Sequence, residues 1–376
     1  MVSMKAKREL VARFRNEYES SDRASKGRIL DSLCDATGWA RKYAMHALRR
    51  LPTAPARQRR RRPRVYGPNE EAALVKVWKL SGFLASKRLA PFLDEFLSAL
   101  ARHGELSLPE PTRSKLARIS ASTIDRLLKR HRRAHRPGAS LTRPGSLLKR
   151  QIAVRTGTDW DDARPGFCEI DTVAHCGGGL QEGHFWTLGI TDVATGWSEF
   201  VPLKSKGRVE TLMKLKALRT RLPFELLGLD FDNGSEFLNY HLVRFCQGEG
   251  ILLTRCRPYH KNDQCRIEQK NGALVRRHAG YGRYDTESQL ALLNRLYGTL
   301  RLLVNFFEPS LKGKEKAATP YRRLLASNVL SKSQAHELES VYLALNPVKL
   351  REELLRIKME LHELGSLVSF LEDATV

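Results

Sequence analysis

Apolar residues near the start of the chain recur at helical spacing. Over residues 26–35 they share one face, Gly38 then interrupts the pattern, and the spacing resumes over 39–50, where Tyr43 belongs to the apolar set. The pattern predicts that residues 5–50 are helical. Helix, glycine-containing turn and basic second helix is the outline of a helix-turn-helix, with an ordinary helical hairpin as the alternative.

A second helical stretch follows. Apolar periodicity predicts helices over 70–80 and 89–100, and a basic helix over 124–133 with Ser120 or Ser122 as its N-terminal cap. Helix, helix, loop and basic helix is consistent with a second DNA-reading module, with or without a wing.

Two segments lack this periodicity and are predicted to be linkers. Residues 51–66 combine three prolines with a block of arginines, and like charges together with proline favour an extended chain. Such a segment either follows a phosphate backbone or minor groove, or is a solvated tether. Residues 134–165 are rich in Pro, Gly, Ser and Arg and predict a second linker.

From residue 167 the pattern changes to short apolar runs separated by turns. These runs predict three strands over 167–173, 184–191 and 196–203, then a helix over 208–221, a strand over 225–231, a helix over 236–247, a strand over 251–254 and a helix over 265–278. The order βββαβαβα predicts an α/β domain, a mixed sheet with helices on its faces. A long helix over 286–307 follows.

The end of the chain is predicted to be helical from Ser331 onward. Its apolar side chains step by four and three residues through Leu350, Leu354, Ile357, Leu361 and Leu364. Two heptads are typical of a helix that packs on its own domain more often than of an oligomer interface.

The distribution of charge along the chain indicates a binding partner. The 376 residues carry 65 Lys and Arg against 41 Asp and Glu, a net charge of +24. Residues 1–150 hold 35 of the basic and 13 of the acidic side chains, so the excess is concentrated there. A polyanion bound through its phosphates explains such an asymmetry better than solubility does.

Composition also limits the class of protein. Six scattered cysteines do not make a disulfide framework, and the charged first 15 residues lack the apolar core of a secretory signal. No apolar run is long enough to span a membrane. We expect a soluble, cytoplasmic protein without a membrane partner.

Three carboxylates stand out by their position. Asp171 lies at the end of the first predicted strand, and Asp232 follows the 225–231 strand. Glu268 lies in the first turn or so of the helix predicted over 265–278. Strand ends and a neighbouring helix can bring such groups together, and converging carboxylates favour a hard divalent cation. Two ions of this kind can activate the attacking oxygen and stabilise the leaving oxygen in phosphoryl transfer.

The residues around these carboxylates are similar to a known family. Thirty-five residues separate Asp232 from Glu268, and Asp232 opens the stretch DNGSEF. The stretches PYHKND (258–263) and IEQKN (267–271) flank Glu268, and VNFF (304–307) and ATPY (318–321) follow. Together they resemble the catalytic core of retroviral integrases and bacterial insertion-sequence transposases.

This resemblance implies a ribonuclease H-like core over 166–325 and a DDE triad of Asp171, Asp232 and Glu268 that binds two Mg²⁺ or Mn²⁺ ions. It implies 3′-end cleavage by water, then strand transfer, on double-stranded DNA that includes the element's terminal inverted repeats and the target. It also implies a homo-oligomer on DNA, associated with the bacterial nucleoid. Residues 1–60 lack a His-His-Cys-Cys zinc spacing and the tail is not β-rich, which favours the bacterial branch.

Candidate DNA contacts are basic or amide side chains near Glu268 and in the N-terminal segments. They are Lys261, Asn262, Gln264, Arg266, Lys270, Asn271, Arg41, Lys42, Arg49, Arg59, Arg60, Arg61, Arg62, Arg126, Lys129 and Arg130. A solvated face is nearly as good an explanation for each of those near Glu268.

The predicted division of the chain is a helix-turn-helix over 1–50, a basic linker over 51–66, a second module over 67–133, a linker over 134–165, the core over 166–325 and a helical tail over 326–376. The predicted function is DNA transposition. The alternatives are a DNA-binding regulator with an inactive core and a ribonuclease H-type nuclease.

Several other polar residues are alternative candidates for a catalytic or metal-binding role. Asp230 shares a strand face with Asp232 and could exchange roles with it, although the DNGSEF stretch disfavours this. Glu169 and Asp192 are predicted to be ordinary surface or turn acids. Cys256, His260 and Cys265 lack a fourth zinc ligand, and His175 with Cys176 is predicted to mark a flexible turn.

Overall fold

A computed structural model describes residues 3–49, 65–133, 164–177, 183–231, 240–255, 267, 270–313 and 315–373. The chain divides into two compact units, Met1–Arg64 and Val65–Val376. The predicted six-part division is finer than this and stays a prediction.

The first unit is three helices, α1 Met4–Ser20, α2 Arg23–Thr37 and α3 Arg41–Arg49. Asp22 caps α2 by accepting the amide of Ser25, and Gly38, at φ +69°, ends it in the left-handed conformation that favours glycine. The helical prediction for this region is confirmed. Tyr43, placed by the periodicity in the apolar set, is instead 54% exposed and makes an edge contact with Trp39.

Four helices open the second unit. They are α4 Pro68–Leu80, α5 Ser86–Arg102, α6 Glu110–Ala117 and α7 Ala121–Arg133. Ser120 accepts the amide of Thr123 at 3.3 Å, so it is the cap of α7. Helix α6 lies in the stretch that was predicted to be a loop; Pro111 stands in its first turn, where proline is compatible with a helix.

The remaining elements are β1 Phe167–Ala174, β2 Trp186–Asp192, β3 Ser198–Leu203, α8 Arg208–Arg219, β4 Gly228–Phe231, α9 Tyr240–Gly248, β5 Leu252–Arg255, a π-helix Asn271–Arg276, α10 Arg277–Ala279, α11 Glu287–Phe307, α12 Pro320–Ala326, α13 Lys332–Ala344 and α14 Pro347–Asp373. The strands form one sheet in the order β3-β2-β1-β4-β5. Strands β1, β2 and β3 pair antiparallel, and β4 and β5 continue the sheet in parallel with β1.

This arrangement confirms the α/β prediction, a ribonuclease H-like mixed sheet with helical flanks. Strand β3 is buried along its whole length because α8 and α11 both pack against it. Buried residues of α4–α7 belong to the same hydrophobic cluster as those of the sheet, so the second unit has one continuous core.

The last helix packs on its own unit, as its spacing predicted. Leu354, Ile357 and Leu361 are buried and α14 lies against α11. None of the described helices combines the length and apolar character needed to cross a membrane.

A buried polar chain crosses the antiparallel half of the sheet. His175 Nε2 is hydrogen-bonded at 2.7 Å to Thr187 Oγ1, which lies 2.6 Å from Tyr297 Oη. His175 is fully buried, so the prediction of a flexible turn at this residue is wrong. Burial, together with the nearby Arg276 and His184, lowers the pKa of His175 to about 3.

We expect the free energy of unfolding to fall as the pH drops from 7 towards 5. The folded protein keeps His175 neutral at a pKa of about 3, whereas the unfolded chain takes up a proton near its ordinary pKa of about 6.5. Well below the unfolded value, such a group removes about 1.4 kcal/mol of stability for each pH unit. Chemical denaturation across this range, with His175→Gln beside the native protein, measures it, and equal pH slopes in the two proteins would contradict the assignment.

Candidate active site

Asp171 lies in β1, the central strand of the sheet. On one side it pairs with Gly189 of β2, and on the other side the last pair formed with β4 is Ile170 with Phe231. One carboxyl oxygen, Oδ1, accepts the amide of Thr172 at 2.7 Å, and Oδ2 accepts Asn271 Nδ2 at 2.7 Å. Its carboxyl group is therefore oriented by the protein.

The other two predicted catalytic acids, Asp232 and Glu268, lie outside the described residues. The residue that precedes each of them in the chain, Phe231 or Ile267, is described. Phe231 ends β4 beside Ile170, and Ile267 is a fully buried helical residue. The amide of Ile267 donates to Glu169 Oε2 at 2.8 Å, which ties this segment to β1.

Asn271 is the second tie between this segment and β1. It is 7% exposed and donates to Asp171, although the sequence predicted a DNA contact for it. Gly189 makes room for its side chain, because a Cβ built on Gly189 would lie 3.3 Å from Asn271 Oδ1 and 3.1 Å from the Phe200 ring. Asn271 also begins a π-helix, a local widening that is common at functional sites.

Lys270 faces inward as well. Its Nζ donates to the carbonyl oxygen of Gly196 at 3.3 Å. Burial lowers its pKa to about 8, against the opposing effect of Glu308. Its predicted DNA contact stays a prediction.

Two acids that the sequence assigned to the surface or to turns are buried in the sheet. Glu169 is fully buried on the same face of β1 as Asp171. Asp192 is also fully buried, and it accepts the amides of Gly166 at 2.8 Å and Thr195 at 2.7 Å. Asp192 does hold a turn, as predicted, but neither residue is a surface acid.

Asp230, the proposed substitute for Asp232, has a partner of its own. It is 6% exposed, pairs in register with Glu169 across β1 and β4, and accepts Thr254 Oγ1 at 2.8 Å. These contacts give Asp230 a structural role at the base of the site.

No group of three or more His, Cys, Asp or Glu side chains is arranged to hold a metal ion among the residues that the structure describes. The weak zinc candidates Cys256, His260 and Cys265 lie outside those residues.

The predicted DNA contacts on helices are largely on the surface. Arg41, Lys42 and Arg49 are exposed on α3, where Arg41 pairs with Asp31 of α2. On α7, the exposed residues are Arg126, Lys129 and Arg130, of which Arg130 pairs with Glu71. The rest lie outside the described residues: Arg59, Arg60, Arg61, Arg62, Lys261, Asn262, Gln264 and Arg266.

Two residues that shape this site were missed by reasoning from the sequence. The alternation Glu169-Ile170-Asp171 was a signal for Glu169, because alternate strand residues share a face. Gly189 carried no such signal, since its importance depends on Asn271, which lies far away in the sequence.

Comparison with known proteins finds a relative by sequence and several solved structures that resemble part of the chain. No protein-family model matches the chain. The "Uncharacterized protein y4rM" of Sinorhizobium fredii (strain NBRC 101917 / NGR234) is 44% identical over 317 residues, which are 84% of this chain and 90% of that protein.

The structural likenesses include two integrase core domains, each of which matches less than half of this chain. The catalytic core domain of BIV integrase has a TM-score of 0.33 and 19% identity, with 43% of this chain and 95% of that chain covered. The HTLV-2 integrase catalytic core domain in complex with magnesium (trimeric form) has a TM-score of 0.32 and 15% identity, with 42% and 95% covered.

Proposed function

The chain belongs to the same family as the y4rM protein of Sinorhizobium fredii, and we propose that it is a DNA transposase of the integrase-like DDE type. In this proposal it cuts the ends of an insertion sequence and joins them to target DNA with two divalent metal ions. Asp171, Asp232 and Glu268 are the proposed catalytic residues.

The observation that carries the proposal is that three chain segments meet where β4 ends beside β1. Ile170 of β1 is paired with Phe231, the last residue of β4, so Asp171 lies in β1 next to the point where the chain continues from β4 to Asp232. Consecutive Cα atoms are about 3.8 Å apart, which limits how far Asp232 can lie from that point.

The third segment is held at the same place from both sides of Glu268. Ile267, the residue before it, is hydrogen-bonded to Glu169, and Asn271, three residues after it, is hydrogen-bonded to Asp171. These two contacts support the proposal that Glu268 acts together with the two aspartates.

The donor set fits Mg²⁺ or Mn²⁺. Three carboxyl groups supply only oxygen ligands, which hard divalent cations prefer. When bound, such ions supply charge stabilisation to an attacking and a leaving phosphate oxygen.

The protein's own residues orient this carboxyl set. Asn271 and the Thr172 amide fix the plane of the Asp171 carboxyl group. Gly189 leaves space for Asn271, and its neighbour Phe200 gives the base of the site an apolar wall. An orientation fixed before DNA binds avoids reorganisation during the reaction.

DNA binding is proposed for the basic N-terminal part of the chain. Helix α3 carries Arg41, Lys42 and Arg49 on its exposed side and has no acidic residue. Arg126 and Lys129 of α7 are exposed, and no ion pair joins either of them to another described residue. The proposed partners are terminal inverted repeats and target DNA, bound by an oligomer of this chain at the bacterial nucleoid.

A strand-transfer assay tests the proposal. The native protein is incubated with Mg²⁺ or Mn²⁺, plasmid target, and a labelled duplex from the DNA that flanks its own gene, beside Asp232→Asn. We expect metal-dependent joining that disappears in the variant. Glu249→Gln, an exposed acid paired with Arg219 at 2.7 Å, is the control expected to keep the activity.

The same assay separates the alternatives. Cleavage of the labelled duplex without joining would favour a ribonuclease H-type nuclease. Binding of the duplex without cleavage or joining, in both metals, would reject the transposase proposal and favour a DNA-binding regulator.

A further inference from the structure

Glu169 is a buried acid beside the proposed catalytic residues. It lies two positions before Asp171 in β1, and alternate positions of a strand face the same side of a sheet. It is fully buried, although an acidic side chain is seldom buried without a specific partner. One such partner is the backbone amide of Ile267, 2.8 Å from Oε2 and 98 residues later in the chain.

This hydrogen bond acts at the residue bonded to Glu268. A buried backbone amide needs a hydrogen-bond partner, and an acceptor from another element fixes where its residue lies. Here the acceptor is a side chain of β1, so Ile267 is attached directly to this strand.

Asn271 supplies a second, independent attachment. Its contact with Asp171 lies four residues further along the same segment. Two attachments, one on each side of Glu268, restrict both the position of the segment and its rotation about its own axis. If the hydrogen bond between Glu169 and Ile267 were lost, the hydrogen bond between Asp171 and Asn271 would be the one of these two that still held the segment.

We propose that Glu169 is a positioning residue, which holds Ile267, the residue before Glu268, against β1. The proposal rests on the proposed function for the role of Glu268, but the attachment itself can be measured without it. Residues that orient metal ligands typically change metal affinity by about 10-fold to 100-fold when they are lost.

Hydrogen exchange of the full-length protein tests the attachment. Glu169→Ala removes the acceptor, and we expect the amide of Ile267 to exchange about tenfold faster. Glu169→Gln keeps an oxygen in the same place and should restore the native rate. Asp192→Asn is the matched control, because Asp192 is also a buried acid that accepts a distant backbone amide, that of Gly166. After correction for the change in unfolding free energy of each variant, it should leave the exchange rate of Ile267 unchanged.

The second measurement is the Mg²⁺ concentration that gives half-maximal DNA joining. We expect it to rise about tenfold in Glu169→Ala and to return towards the native value in Glu169→Gln. If the alanine variant does not fold, Glu169→Met fills the same volume without an acceptor and is measured in its place.

Unchanged exchange at Ile267 in Glu169→Ala or Glu169→Met would overturn the proposal, and so would a glutamine variant that behaves like alanine. If the native protein joins no DNA, the proposed function fails. The exchange rates then still decide whether Glu169 holds this segment.

Discussion

Asp171→Asn is expected to lower DNA joining by about 10³-fold or more. The substitution keeps the shape of the side chain and removes its negative charge, so the proposed metal ion would lose one of its charged ligands. Each 1.36 kcal/mol of lost transition-state stabilisation costs about tenfold in rate, and a metal ion supplies several kcal/mol.

The folded state should be almost unaffected by the same change. Asparagine keeps an oxygen for the Thr172 amide, which now bonds to Asp171 at 2.7 Å. Rotation of the Asn271 amide would let its oxygen accept from the new side chain, and that oxygen has no hydrogen-bond partner among the described residues. A change in unfolding free energy of less than about 1 kcal/mol follows.

Asp192→Asn is the matched control, with the opposite expected result. Burial raises the pKa of Asp192, while its hydrogen bonds with Thr195 and Gly166 act in the other direction. An amide cannot accept all of these bonds, so stability should fall by about 1–3 kcal/mol. Joining per folded molecule should be retained. If Asp171→Asn joins DNA at the native rate, Asp171 is not a catalytic residue.

Arg301→Leu is expected to cause the largest loss of stability, about 3–5 kcal/mol. Arg301 of α11 donates to Glu199 Oε2 at 2.5 Å, and Glu199 is fully buried in β3. Trp197 Nε1 donates to the other oxygen at 3.0 Å. Without Arg301, a charged or unsatisfied carboxyl group stays inside the sheet domain. Denaturant unfolding of the variant measures the loss.

A double variant tests the reason for that loss. Glu199→Met with Arg301→Leu replaces a buried ion pair with apolar side chains, which is often neutral or stabilising. Most of the lost stability should therefore return. Arg295→Leu is the control on the same helix, where Arg295 pairs with the partly exposed Glu353 and Glu360, and its effect should be much smaller. Equal losses for the two arginines would contradict the argument.

The sequence by itself determined the types and order of most elements. Strands, helices and turns have different spacings of apolar residues, and these are local properties. The mixed sheet, the helical flanks and the position of Asp171 in the first strand were all predicted from them. The uneven charge was also available from the sequence, since it requires only counting.

Local patterns failed where a boundary or an environment depended on distant contacts. Helix α6, eight residues long, lies in the stretch that was predicted to be a loop, and only Leu116 of its residues is buried. Tyr43 has helical spacing with apolar residues, yet the small α1–α3 core does not extend to its side of α3. Spacing tells which residues share a face but not how far the core reaches.

The tertiary structure alone decided which side chains support the proposed catalytic residues. Glu169 meets Ile267 across 98 positions of the chain, and Asn271 meets Asp171 across 100. Such contacts depend on how strands pair and on how helical residues pack against the sheet, so a local sequence pattern does not predict them. The sequence supplied the acids, and the packing of the sheet determined which of them are buried, oriented and tied together.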